Sequence, residues 1–292
     1  MIRPKVSVCV VTYNQEAYIG QCLRSIVDQV TDFDFEVVVG DDCSTDGTGA
    51  VISDFCARYP TRVRSISHPK NIGPYQNYLR VHEAAAGRYV AHIDGDDYAL
   101  AGKLQAQVDV LDSDPTCNVV WHPVDTLCSD GALRGSYAAV PCRPPLQVSR
   151  WDQINFILIG AHSSKMYRVG VCELKIPKVG FTDFFLNVSH IASGHGVLLR
   201  DRSYGVHRVG IGISSAGHST RRILIGNLDL LFQAEPDSRD AVNSATLHLL
   251  LSDIKRWSPT LPATLSLFLR SFSLGGVGTY LRTFAQRKAL VL

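Results

Sequence analysis

The sequence predicts an α/β protein, a mostly parallel Rossmann-like sheet flanked by helices, followed by a C-terminal helical region. Three observations lead there. Short apolar, β-branched runs alternate with stretches of helical spacing through residues 6–111. Three polar clusters, Thr12-Tyr13-Asn14, Asp41-Asp42 and Asp94 to Asp97, stand at the carboxyl ends of those runs. Beyond His218 the chain carries helical periodicity.

The elements follow in order. Val6 to Thr12 (VSVCVVT) is a strand, and Glu16 to Gln29 puts Tyr18, Ile19, Cys22, Leu23, Ile26 and Val27 at helical spacing. Phe35 to Gly40 is a second strand. Asp46 is expected to cap a helix running to about Tyr59. Arg62 to His68 reads as a third strand and Pro74 to Ala86 as a third helix, with proline in its first turn. Arg88 to Ile93 is a fourth strand and Leu100 to Leu111 a fourth helix. Asn118 to Val124 reads as a further strand. Residues 125–150, rich in Pro, Gly and Ser, read as a loop. Trp151 to Ile159 and Thr182 to Ala192 read as helices, with short strands at Ser164 to Tyr167 and Val197 to Arg200. The last helices are expected near 218–233, 240–255, 262–273 and 277–289.

Bulk properties narrow the function classes. The composition, 46% hydrophobic and 19% charged, is that of a globular domain with a real core. A formal charge of +2 gives no polyanion-binding field, so nucleic acid is not an expected partner. No apolar run approaches the ~20 residues of a membrane span, and Met1 to Lys5 leads directly into a strand, which speaks against a signal peptide. The eight cysteines are scattered singly without a CxxC pair, which argues against zinc and for a reducing cytoplasm. No GxGxxG follows the first strand, which excludes the dinucleotide-binding dehydrogenase pattern.

In open α/β sheets, ligands bind beyond the carboxyl ends of the strands. Asp94-Gly95-Asp96-Asp97 sets three carboxylates within four residues. Such charges repel unless something positive sits among them, and a divalent cation shared with substrate phosphates is a common answer. Gly95 allows a tight turn or close approach. An acidic surface turn with Asp97 as a helix cap is the competing reading. In the second cluster, Asp46, Ser44 and Thr45 are explained as turn and cap formers. Asp41 and Asp42 are not, and a carboxylate there can accept from a ring N–H of a base.

The series VSVCVVTYNQEAYIGQCLRSIVDQ, FEVVVGDDCSTDGT, HPKNIGPYQNYLRVHEAAAGRYVAHIDGDDY and then Lys103-Leu104-Gln105 resembles family 2 glycosyltransferases of the GT-A fold, most nearly the bacterial members that build surface polysaccharide and lipopolysaccharide. The resemblance covers residues 4–112. It implies a nucleotide-sugar donor, UDP-linked by the family's habit, and a divalent metal, Mn²⁺ or Mg²⁺. It implies that Thr12, Tyr13, Asn14 and Glu16 border the nucleoside. Asp41 then holds the base with Asp42 beside it, and Asn71 and Gly73 lie near base and ribose. Asp94 lies by ribose or metal with Gly95, Asp96 lies on the metal, and Asp97 supports. The implied division is 1–215 for the catalytic domain (1–115 nucleotide-sugar half, 116–215 acceptor half) and 216–292 for the helical region.

Inverting members need a general base for the acceptor hydroxyl. By resemblance this is Asp183, in Gly180-Phe181-Thr182-Asp183-Phe184-Phe185, where Thr182 replaces the first acid of the family's pair. Its apolar surroundings are expected to raise its pKa. Against this, Thr182 and Asp183 also suit a helix cap and first turn. Glu173 is a second candidate. Tyr204-Gly205-Val206-His207-Arg208 resembles the family's Y-R-x-H element, with Gly205 in place of arginine, which implies metal or diphosphate contact by His207 and phosphate contact by Arg208. Ser214 and Ser215 lie in a Gly/Ser stretch that reads as a lid or a linker. His162, Trp121 and His122 are placed by position near the acceptor.

From Ile254 to Leu292 there are six basic residues and no acids. Two apolar faces, Leu261/Leu265/Phe268/Leu269/Phe272 and Val277/Tyr280/Leu281/Phe284, suit either an anionic membrane surface or packing on the catalytic domain or a second copy in a homo-oligomer. The first option suits a lipid-linked glycan acceptor at the inner face of the cytoplasmic membrane. A non-catalytic nucleotide-sugar binder or assembly partner on the same fold is the alternative function.

Overall fold

The computed structural model describes residues 3–136, 144–157, 159–171, 180, 182–210 and 218–290. In chain order the elements are β1 (Val6–Thr12), α1 (Glu16–Val27), β2 (Phe35–Asp41), α2 (Thr48–Arg58), β3 (Val63–Ser67), α3 (Pro74–Glu83), β4 (Tyr89–Asp94), β5 (Tyr98–Ala99), α4 (Lys103–Ser113), β6 (Cys117–Trp121), β7 (Val124–Leu127), β8 (Leu133–Arg134), β9 (Leu146–Val148), α5 (Arg150–Phe156), a 3₁₀ turn (His162–Ser164), β10 (Met166–Arg168), α6 (Asp183–Ile191), β11 (His195–Leu198), β12 (Gly205–Arg208), α7 (His218–Ala234), a 3₁₀ turn (Pro236–Ser238), α8 (Arg239–Arg256), α9 (Leu261–Ser271) and α10 (Leu274–Leu290).

The chain forms two compact units. The first comprises Met1–Leu146, Gly160–Val171 and Val197–Gly212; the second comprises Gln147–Ile159, Cys172–Gly196 and Ile213–Leu292.

In the first unit, β3-β2-β1-β4-β10-β6 lie side by side in that order. The β3-β2-β1-β4 portion is parallel, and β10 runs antiparallel between β4 and β6. Alternation along the strands explains why both sheet faces are covered. Val6, Val8, Val10, Val37 and Val39 pack with Ile19, Leu23, Ile26, Phe55, Leu104 and Val108 on one face. Cys9, Val38, Val81 and Val90 form the core of the other, against α3. Cys9 and Cys22 are fully buried and act as small hydrophobes, as expected. A second small sheet, β5-β12-β7-β8, pairs β12 parallel to β7 and antiparallel to β5.

Most element bounds agree with the sequence reading to within a few residues, and the exceptions have local causes. Residues 125–150 hold strands of only two to four residues in place of an uninterrupted loop. Gly205–Arg208 is itself a strand. Asp46 receives Thr48 N–H at 3.0 Å, but Gly47 occupies the cap position. The last helix starts at Leu274, ahead of the expected 277, because Ser273 Oγ accepts Gly276 N–H at 2.8 Å and closes its first turn. Gly276 belongs inside that helix for a packing reason: a Cβ there would lie 2.6 Å from Asn243 Oδ1 on α8.

In the second unit, α10 is fastened by Arg287, which is buried and donates to Asn155 O and Oδ1 (both 2.7 Å) and to Ser244 Oγ at 2.9 Å. Burial lowers its pKa to about 10. α9 turns Thr264, Leu267 and Ser271 inward and leaves Leu265, Leu269 (63% exposed) and Phe272 outward. Of the apolar face read from the sequence, Leu265, Leu269 and Phe272 are exposed, while Leu261 and Phe268 are half-buried. No helix among the described residues is long and apolar enough to cross a membrane.

Candidate functional site

Strand register creates the site. Thr12 pairs with Asp41 across β1 and β2, and Val11 with Asp94 across β1 and β4. The three polar clusters therefore meet on one rim of the sheet. Backbone bonds stitch the rim together: Asp42 N–H donates to Thr12 O at 3.0 Å and Gly95 N–H to Val11 O at 2.9 Å. Gly95 permits a close approach, since a Cβ there would lie 2.6 Å from Gln15 Oε1 and 2.8 Å from Thr12 Oγ1.

The residues after β1 and β2 interlock. Thr12 Oγ1 donates to Gln15 Oε1 at 2.7 Å. Asn14, at φ 52°, accepts Thr45 N–H on Oδ1 at 2.8 Å, and its own N–H donates to Ser44 Oγ at 2.9 Å. Glu16 Oε2 accepts Gly47 N–H at 2.9 Å. Asp41 Oδ1 accepts Ser44 N–H (3.1 Å) and Oγ–H (2.5 Å). Asp42 is buried, and both its oxygens accept backbone donors, Ile72 N–H at 2.7 Å and Gly73 N–H at 2.9 Å. Asn71 Oδ1 also accepts Gly73 N–H, at 3.1 Å. Asp42 thus shapes the 71–73 turn. Tyr13 is exposed beside this rim.

Three acids follow β4, each held differently. Asp97 is buried and fully engaged: Oδ2 accepts Ser163 Oγ–H at 2.5 Å and His207 Nδ1–H at 3.1 Å, and Oδ1 accepts Arg208 N–H at 2.9 Å. Asp94 Oδ1 lies 3.1 Å from His92 Nε2, and Oδ2 lies 3.2 Å from Ser163 Oγ. Asp96 is buried at the same turn. Arg208 closes the cluster, with Nε donating to Asp96 O at 2.7 Å, a bond to Gln21 Oε1, and its guanidinium 5.0 Å from the Tyr18 ring and 5.5 Å from the Tyr98 ring.

The electrostatics follow from this crowding. Burial, then the Asp97 charge, pushes Asp94 up to about 7. Burial, then Asp94 and Asp97, pushes Asp96 up to about 7. Lys103 is wholly buried, donates to Ser163 O, and is pulled down to about 7 by burial against the pull of Asp97, Cys22 and Asp94. The hydrogen bond to Asp97 raises His207. Among the described residues, His92, Asp94 and His162 offer potential metal-ligand atoms within 4.8 Å of one another.

Thr12, Asn14, Glu16, Asp41, Asp42, Asn71, Gly73, Asp94, Gly95, Asp96 and His207 therefore share one unit and one rim. Asp183 lies in the second unit, in the first turn of α6. Thr182 holds the cap position there, but its Oγ1 bonds Asn227 Oδ1 at 3.0 Å rather than a helix N–H. Phe184 and Phe185 are buried. Phe181, Glu173, Ser214 and Ser215 lie outside the described residues. Trp121 and His122 are core residues, nearly or wholly buried. Sequence reasoning missed Ser163, Lys103 and His92. Their signal was weak: a serine beside a short strand, a lysine in a helix's first turn, and a histidine within an apolar strand.

The sequence profile of Glycosyl transferase family 2 matches residues 7–171. Among curated proteins, the chain is 35% identical to the uncharacterised protein Rv1520 of Mycobacterium tuberculosis (strain H37Rv) over 219 residues, 74% of this chain and 62% of that one. The chain thus spans less than two thirds of that relative's length. It is 25% identical over 177 residues, 61% of this chain and 68% of the other, to TuaG of Bacillus subtilis (strain 168), whose name provisionally makes it a teichuronic acid biosynthesis glycosyltransferase. Among solved structures, S. aureus TarS 1–349 in complex with UDP-GlcNAc superposes with a TM-score of 0.66 at 18% identity, covering 97% of this chain and 92% of that one. The mannosyltransferase PcManGT of Pyrobaculum calidifontis, in complex with GDP-Man and Mn²⁺, superposes at 0.59 and 19% identity, covering 98% and 81%. The fold is that of these GT-A proteins, with the C-terminal helices beyond it.

Proposed function

Since the chain belongs to glycosyl transferase family 2, we propose that it is a metal-dependent glycosyltransferase. In this reading it moves a sugar from a UDP-sugar to a hydroxyl of a glycan or lipid-linked acceptor. The observation that carries this is the differing restraint of the three acids. Asp97 is saturated by hydrogen bonds, whereas Asp94 and Asp96, both raised to about 7, have no lysine or arginine ion pair among the described residues. A hard divalent cation satisfies such a pair. Asp96 and Asp94 would hold it, with Nε2 of His207 as a further ligand, because the Asp97 bond orients that ring as an outer carboxylate orients a metal-binding histidine. A bound Mn²⁺ or Mg²⁺ supplies neutralising charge for the departing diphosphate.

The nucleoside end falls to the interlocked rim. Asp41 accepts from the base, Thr12, Tyr13, Asn14 and Glu16 border it, and Asp42 fixes the Asn71–Gly73 turn beside it. Asp183 acts as the base. The acceptor oxygen forms the new bond to the anomeric carbon as its proton passes to the Asp183 carboxylate. The old carbon–oxygen bond breaks, and its electron pair leaves on the nucleoside diphosphate, inverting the centre. The solved neighbours hold UDP-GlcNAc in one case and GDP-Man with Mn²⁺ in another.

The exposed apolar side chains of α8 to α10 (Trp257, Leu269, Leu274, Leu281 and Phe284), interspersed with Lys255, Arg256, Arg270 and Arg282, suit an anionic membrane surface. In this reading the protein works at the inner face of the cytoplasmic membrane, where a lipid-linked acceptor would lie.

A thermal-shift panel of UDP, GDP and their sugars, with and without Mn²⁺, tests the reading. Metal-dependent stabilisation by uridine nucleotides is expected. Stabilisation by guanosine nucleotides alone would reassign the base, and no response to any of them would sink the donor site. Donor binding without turnover on any acceptor would favour a non-catalytic binder.

A further inference from the structure

Behind Asp94 runs a chain of buried and half-buried side chains. His92 Nε2 lies 3.1 Å from Asp94 Oδ1, His92 Nδ1 lies 3.0 Å from His82 Nε2, and His82 Nδ1 lies 2.7 Å from Tyr167 Oη. His92 has no exposed surface. The Tyr78 ring stacks on His82 at 3.8 Å and tilts against His92 at 5.1 Å, which holds both ring planes. His162 packs on His92 at 4.0 Å between ring centres, and Lys165 Nζ lies 3.1 Å from His162 Nδ1.

We propose that His92 is a positioning residue for Asp94, and that His82 and Tyr167 fix which ring nitrogen it presents to the acid. The inference rests on the reading of Asp94 as part of the donor–metal site.

Proton counting sets the direction. An ionised carboxylate only accepts, so His92 must donate from Nε2. A neutral imidazole carries one N–H, so His92 Nδ1 then accepts, and His82 must donate from Nε2. His82 Nδ1 accepts in turn, and Tyr167 is left to donate its O–H, as a phenol does. With Asp94 ionised, every contact in the chain is satisfied in this polarity. The opposite polarity would need a proton on Asp94. The chain therefore fixes the direction of Asp94 Oδ1 and offers its ionised, cation-binding form a ring N–H donor.

Two measurements on the full chain test it. In ¹⁵N-histidine spectra at pH 8.5, with His82 and His92 assigned by substitution, both rings should be neutral and protonated on Nε2. A Nδ1–H form of either ring overturns the proposal. In Mn²⁺-dependent UDP binding, His92→Leu should raise the Mn²⁺ concentration needed about tenfold, the range seen when an outer partner of a metal ligand is lost. His92→Gln, whose amide nitrogen can stand in for Nε2, should restore most of it. Unchanged Mn²⁺ dependence in a folded His92→Leu protein overturns the proposal. If the wild-type chain binds no nucleoside diphosphate with Mn²⁺, the donor-site reading fails instead, and the spectra alone decide whether His92 holds Asp94.

Discussion

His207 Nδ1 donates to Asp97 Oδ2 at 3.1 Å, joining two residues 110 positions apart in the chain. The contact follows from the pairing of Val206 with Tyr98 between β12 and β5, which sets His207 and Arg208 over the acids that end β4. It gives Asp97, which a sequence motif treats as optional, the role of keystone, and it leaves Asp96 as the acid with fewest ties. The two residues should therefore fail differently.

Asp96→Ala should abolish the Mn²⁺-dependent part of nucleotide binding and leave the metal-free fold as stable as before or more so, because a buried acid repelled by two neighbours is removed. Thermal unfolding without metal, alongside titration with Mn²⁺ and UDP, checks both halves. Preserved metal dependence would remove Asp96 from the metal site.

Asp97→Ala strands two donors, His207 Nδ1 and Arg208 N, and leaves Ser163 Oγ only its longer contact to Asp94 Oδ2. A buried donor left unmade costs about 1–3 kcal/mol. Partial rehydration leaves an expected loss of about 2–4 kcal/mol, a drop of roughly 5–10 °C in melting temperature. A melting temperature equal to wild type would mean that the cluster does not depend on this acid.

The pH response has two limbs of opposite sign. Asp94 and Asp96 are each pushed up to about 7 in the fold from the ordinary 3.8 that holds in the unfolded chain. The folded chain thus holds more protons between those values, and this cluster lowers metal-free stability as pH rises from about 4 to about 7. Lys103, depressed from 10.5 to about 7, holds fewer protons when folded, so its contribution raises stability across that higher window. Mn²⁺ competes with the protons on the two acids, so its apparent affinity should tighten about tenfold per acid between pH 6 and 8. Calorimetric titration in buffers of different ionisation enthalpy would count the released protons, and a flat profile would contradict the raised values.

Asp183→Asn should leave donor binding intact and lower turnover by about 10²–10⁴-fold, the usual worth of a general base. Equal turnover would reassign the base.

Leu269→Glu together with Leu281→Glu should weaken sedimentation with vesicles containing anionic phosphatidylglycerol and leave nucleotide binding unchanged. Undiminished sedimentation would take the outward face of α9 and α10 out of the membrane reading. A wild-type dimer that these changes dissolve would assign the face to a second copy.

The first half of the fold was legible because β1, β2 and β4 are covered on both faces and so appear as unbroken apolar runs. The polar rim was legible for the same reason, since each cluster directly follows a run. β5, β7 and β8 are too short to carry a period, and the exposure of β8 removes its apolar signature. The placement of β10 between β4 and β6 is a matter of pairing, which no local pattern encodes. Ser163 and His92 became visible as site residues only through contacts made in space. The C-terminal helices were readable from periodicity, but periodicity alone did not say that Leu269 faces outward while Leu267, two residues earlier, faces in.

The insertion of β10 bears on the order in which the molecule can be assembled. The acids appear at residues 94–97, yet Ser163, which bonds Asp97 and contacts Asp94, comes some seventy residues later, and His207 and Arg208 later still. A nascent chain that has emerged only as far as α4 already owns the family's recognisable motifs but has unanchored carboxylates at its rim. Closure of the cluster is a late, long-range event, and such contacts form slowly. Metal competence should therefore mark completion of the first unit rather than nucleate it.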